Sequence, residues 1–197
     1  MKRDASINVC IFCLLVALAV LGRWLGARDE GLGIAPNFTP IAAVGLFAGY
    51  FFVRGAVALL VPLTALVISN FCLESYGSWL MMATVYGSFL VAPLLGRALR
   101  ANRSMVKVVV AVVLPAVVFY LTTNLAQWIV DGQYARSMYS RDWSGLAACY
   151  SAGIPFFRWM FEGDLFFSAI LFGAYSLAIL GQPRRLVRQP LPVKRFR

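Results

Sequence analysis

Residues Val108 to Val130 read VVVAVVLPAVVFYLTTNLAQWIV, a run without a single charged side chain. A hydrocarbon core about 30 Å thick takes about 20 helical residues to cross. Inside it the backbone finds no water, so a spanning run must close its own hydrogen bonds, as a helix does. Arg97, Arg100, Arg103 and Lys107 precede this run and Asp131 follows it.

Five further apolar stretches lie outward from it, at Ile7–Leu25, Thr39–Val53, Gly55–Leu73, Trp79–Leu95 and Leu165–Gly181. The second is short and fits a bilayer only with thinning or little tilt. The pattern predicts an all-α polytopic membrane protein with six transmembrane helices. They form a single domain over residues 1–182, followed by a basic cytoplasmic tail over 183–197. Composition agrees: 61% of residues are hydrophobic and 13% charged, against about 25% charged in a soluble domain.

The net charge of +10 could point to nucleic acid, but its placement argues against that. Lys2 and Arg3, then Arg54, then Arg97 to Lys107, then the tail from Arg184 to Arg197 all fall on one side if the spans alternate. The opposite gaps hold Arg28, Arg136, Arg141 and Arg158 beside Asp29, Glu30, Glu74, Asp131, Asp142, Glu162 and Asp164. This is the positive-inside pattern, with both termini cytoplasmic. The tail then reads as an anchor for anionic membrane lipid, with no nucleic-acid partner. Lys-Arg followed by an apolar run and Ala17-Leu18-Ala19 resembles a cleaved signal. The apolar character continues through Leu25, which favours a retained span.

The chain has four cysteines and no histidine, so Ser-His and Cys-His nucleophile pairs are excluded. Cys10 and Cys13 read as packing residues within a span, and Cys72 and Cys149 fall near the outer face, where they could pair. Glu162 and Asp164 point to different sides of a helix. The chain is therefore expected not to be an enzyme, with no catalytic residue, no metal site and no cofactor.

Polar residues inside spans mark sites, pathways or helix contacts. Here they gather on the outer side: Asn37 in the loop Pro36–Pro40, Asn70 and Glu74 after the third span, Asn124, Gln127 and Trp128 in the fifth, and Tyr150, Arg158 and Asp164 near the start of the sixth. The inner halves are almost purely apolar. These nine are the candidate substrate-binding residues of a chamber open outward and closed toward the cytoplasm. Each also has a plainer reading. Asn70 and Asn124 can bond across helices, Arg158 and Glu162 can pair at i,i+4, Asp164 can cap the last span, and the tryptophans can sit in an interfacial belt. Gly22 with Gly26, Gly45 with Gly49, and Ala169 with Gly173 have small-xxx-small spacing for close packing. The segment Trp143–Met160 contains Gly145, Gly153 and Pro155 and is expected as a short helix or re-entrant piece on the outer face.

The phrases Pro36-Asn-Phe-Thr-Pro-Ile-Ala-Ala-Val-Gly-Leu-Phe-Ala-Gly49, Thr123-Asn-Leu-Ala-Gln-Trp128 and Gly145-Leu-Ala-Ala-Cys-Tyr150, the last continuing to Asp164, resemble an uncharacterised family of small bacterial membrane proteins. The architecture more loosely resembles the substrate-binding S-components of energy-coupling factor (ECF) transporters. That resemblance implies a solute pocket at Asn37, Asn124–Trp128 and Tyr150–Asp164, and as partners a transmembrane coupling subunit and ATPases. The Ala-x-x-x-Ala coupling motif of that family is absent from Ile7–Leu25. The expected function is a transport subunit binding a small solute from the extracytoplasmic side. A structural or assembly protein without a ligand is the alternative.

Overall fold

α2 (Ile41–Phe51) is apolar on every side, and all eleven of its residues are buried. A helix of that kind has no face to offer to solvent and becomes the centre of its fold. The computed structural model describes residues 5–27, 37–73, 76–101, 104–134 and 136–181. Around α2 stand α1 (Ala5–Ala27), α3 (Gly55–Asn70), α4 (Trp79–Phe89), α5 (Val91–Ala101), α6 (Met105–Asp131) and α7 (Trp143–Leu180). The described residues contain no strand. The runs Ala5–Ala27, Trp79–Ala101, Met105–Asp131 and Trp143–Leu180 are long and apolar enough to cross a membrane, and α2 and α3 are shorter apolar helices. The expected basic tail, Pro36 and Glu74 lie outside the described residues.

Glycines set the central packing. A Cβ on Gly49 would lie 2.0 Å from the Pro93 carbonyl oxygen, and one on Gly96 would lie 1.9 Å from that of Leu46. The backbones of α2 and α5 therefore touch, which only glycine permits at these two positions. The Gly45/Gly49 face is thus used inside the molecule, against Ala92 and Pro93. Gly173, by contrast, has nothing within 4 Å of the place a Cβ would take, so the Ala169/Gly173 pair makes no such contact.

Arg100 closes the lower end of α2. Its Nε donates to Tyr50 O at 2.9 Å and its Nη2 to Gly49 O at 3.1 Å and to Phe52 O. These are carbonyls that a helix C-terminus leaves unpaired. The expected fourth span is interrupted at Leu90, between α4 and α5: Pro93 has no N–H to give to the Phe89 carbonyl, and Leu90 N–H turns to Gly87 O at 3.1 Å.

The end of the chain departs from expectation. In place of a short outer piece followed by a span from Leu165, α7 runs unbroken for 38 residues, about 57 Å at 1.5 Å per residue. Pro155 lies inside it. Proline removes one backbone bond, but the packing of this stretch on α6 holds the helix together, with Tyr120 and Phe157 ring centroids 5.0 Å apart. The N-cap is Asp142, whose Oδ1 accepts from Gly145 N–H at 2.9 Å. Asp164, expected as a cap, is instead a mid-helix residue. Cys72 is exposed and Cys149 buried, and both are free thiols.

Candidate functional site

One end of the bundle holds a two-lobed cavity where α1, α3 and α6 finish and α4 and α7 begin. The first lobe, about 200 Å³, lies between α6 and α7. Thr123, Asn124 and Gln127 reach it from α6, and Gly153, Phe156 and Met160 from α7. Spacings of three and four put each set on one helix face. The second lobe, about 370 Å³, opens toward α1 and adds Arg23, Thr39 and Tyr76. Asn37, Phe119, Phe156 and Met160 line both lobes.

Asn37 enters the wall through a left-handed backbone conformation, φ 68°, which asparagine tolerates better than most residues. Its carbonyl accepts from Thr39 N–H at 2.9 Å, closing the turn into α2. Asn124 donates Nδ2–H to Tyr120 O at 2.8 Å. Its amide occupies the space a Cβ on Gly153 would take, 2.4 Å from Oδ1. The glycine thus makes room for a polar group at the α6–α7 seam.

The strongest charge on the cavity is Arg23, which the length and apolarity of the first stretch conceal. Its Nη1 donates to Ser69 Oγ at 2.5 Å and to Asn70 Oδ1 at 2.7 Å, and its Nη2 to Tyr76 Oη at 2.5 Å. Asn70 in turn donates to Tyr86 Oη at 3.0 Å. Asn70 therefore supports the cavity wall through Arg23. An arginine within a predicted span needs buried partners, and that is the signal that could have found it. Its partners, however, lie 46 to 53 residues away. Burial pushes the Tyr76 phenol above its ordinary range, with the nearby guanidinium pulling it back.

The other expected site residues lie apart from the cavity. Trp128 donates Nε1–H to Ser140 O at 2.9 Å, with the Arg141 guanidinium 5.2 Å over its ring. Both belong to the loop that Asp131 gathers by accepting from the Met138 and Tyr139 amides at 3.1 and 3.0 Å. Tyr150 is bonded to Leu121 O at 2.7 Å and ties α7 to α6. Arg158 pairs with Glu162 at 2.9 Å on an open face, its side chain 70% exposed. Asp164 is buried, and its carboxylate oxygens have no hydrogen-bond partner among the described residues. It faces the Ala43 amide in the first turn of α2, beneath the cavity and outside its lining.

The lining is suited to non-covalent recognition: phenylalanine rings to cover an apolar body, and amides and one guanidinium to fix polar ends. Among the described residues no group of three His, Cys, Asp or Glu side chains could hold a metal ion. No curated protein and no solved structure matches the chain. A family of unknown function, DUF6580, matches residues 3–188. With nearly its whole length covered, the chain belongs to that family.

Proposed function

We propose that this protein is a substrate-binding, S-component-like transport subunit that takes a small solute from the extracytoplasmic side of a bacterial inner membrane. In this reading six helices cross the membrane, α2 and α3 included, with both termini cytoplasmic. The basic gaps then face anionic lipid and the cavity faces outward. The observation that carries the reading is the cavity itself, in which Asn37, Asn124 and Gln127 converge from a loop and a helix onto a space walled by Phe119, Phe156 and Met160. Transport would need a coupling subunit and ATPases, since no Gly-x-x-x-x-Gly-Lys phosphate loop occurs in the chain.

A structural or assembly role without a ligand draws on a different feature, a shallow groove of about 470 Å³ between α4 and α6. Thr84, Gly87 and Ser88 line it, and small residues of this kind let a partner helix approach. Native mass spectrometry of the detergent-purified full chain separates the two. A co-purifying small molecule, lost in a folded Asn124→Ala variant, supports the binding subunit. An empty protein that brings down another membrane protein overturns it.

A further inference from the structure

Arg23 is a fixed cation solvated by neutral oxygens. Its three acceptors are two hydroxyls and an amide, on Ser69, Tyr76 and Asn70. None carries a charge to offset the guanidinium, and the raised Tyr76 phenol stays protonated at neutral pH. Among the described residues the one ion pair is Arg158–Glu162, on another face. The three bonds use Nη1 and Nη2, leaving Nε and one Nη2 proton without a partner among the described residues. A guanidinium has five such donors in a planar fork that suits carboxylate and phosphate.

The same lobe supplies what the other half of a ligand would need. Arg23 and Thr39 share it with Phe89, Phe119, Phe156 and Met160, so a single charge stands at the edge of an apolar space. An ion left in such surroundings is costly, and an opposite charge that brings its own apolar body relieves both problems together. We propose that the solute is an amphiphilic organic monoanion, its carboxylate or phosphate held by Arg23 and its apolar body lying among these side chains. This rests on the binding-subunit reading and names the ligand class for the same cavity. Two sources share this chemistry, a soluble organic anion and the headgroup of an anionic lipid.

The full chain in neutral detergent is titrated with octanoate and phenylacetate and, in parallel, with the neutral isosteres octanamide and phenylacetamide. Calorimetry and the shift of the unfolding midpoint are read out. The expected result is that each anion binds at least about tenfold more tightly than its amide, as a charge-assisted bond implies. Arg23→Gln should abolish that preference and Arg23→Lys should keep part of it. Because the isostere comparison uses the native protein, it decides the matter even if Arg23→Gln does not fold. Equal affinity for acid and amide, or no binding of either acid, overturns the inference. A neutral solute that co-purifies and is lost in Asn124→Ala also overturns it while leaving the binding-subunit reading intact. In nanodiscs, displacement of octanoate by phosphatidylglycerol and not by phosphatidylcholine assigns the anion to lipid. Failure of both lipids to displace it assigns the site to a soluble anion. Either result upholds the anion chemistry.

Discussion

Tyr120 and Tyr150 latch α6 to α7 reciprocally. Tyr120 donates Oη–H to the Tyr150 carbonyl at 2.7 Å, Tyr150 donates to Leu121 O at 2.7 Å, and their rings meet edge-on at 5.6 Å. The latch explains why Tyr150, which looks like a ligand contact in the sequence, stands outside the cavity. Tyr150→Phe should lower stability by about 1 kcal/mol, the usual net worth of one such bond, and leave octanoate affinity unchanged. Unfolding midpoints and calorimetry on the same preparation check this. A drop in affinity with no loss of stability would return Tyr150 to the site.

What the sequence made legible was what lipid enforces. Apolar run lengths and the charge of the gaps between them follow from hydrocarbon thickness and the cost of unpaired backbone groups, and these are local properties. The convergence of Asn37, Asn124 and Gln127 was legible in part, because Asn124 and Gln127 share a helix face and Asn37 lies in a loop at the same end. Arg23 was not. Nothing local says which neighbour an arginine's face will meet, and here the neighbours come from α3 and the turn before α4. The unbroken α7 was missed for the converse reason. Gly153 and Pro155 are local break signals, and the contacts of Tyr120 with Tyr150 and Phe157 overrode them.

The touching backbones of α2 and α5 predict a sharp difference between glycines. Gly49→Ala or Gly96→Ala forces a Cβ onto a carbonyl of the partner helix and should cost about 1–3 kcal/mol or more, the range for overpacking a filled interior. Gly173→Ala meets nothing and should be neutral or stabilising by up to about 1 kcal/mol through helix propensity alone. Midpoints of thermal unfolding in detergent distinguish the two, and equal effects at Gly96 and Gly173 would refute the close contact.

The Arg158–Glu162 pair is expected to matter little. Its side chains are 70% and 41% exposed, and exposed i,i+4 pairs contribute about 0.3–0.5 kcal/mol net of the cost of ordering the side chains. Arg158→Ala should therefore shift the unfolding midpoint by no more than that figure implies. It should leave octanoate binding as in the native protein, in contrast to Arg23→Gln.

The start of α7 should loosen in acid. Hydrogen bonds from Ser140 Oγ, then the Gly145 amide, then Ser144 Oγ hold the Asp142 carboxyl well below the usual carboxylate range. A carboxyl that ionises more readily in the folded chain than in the unfolded one contributes stability that is complete above its ordinary pKa, about 3.9. That contribution is lost as the pH falls from there toward the folded value. Amide protection at residues 144–147, corrected for intrinsic exchange, should thus be constant from neutrality to about pH 5 and decline below about pH 4. Asp142→Asn keeps an acceptor at the cap position without a titrating group, so its protection should not decline over the same interval. Asp142→Ala should be less protected at every pH. A native chain whose first turn of α7 stays equally protected through acid would show that the packing of Gly145 against Ser140, and not the charge at Asp142, holds this end of the helix.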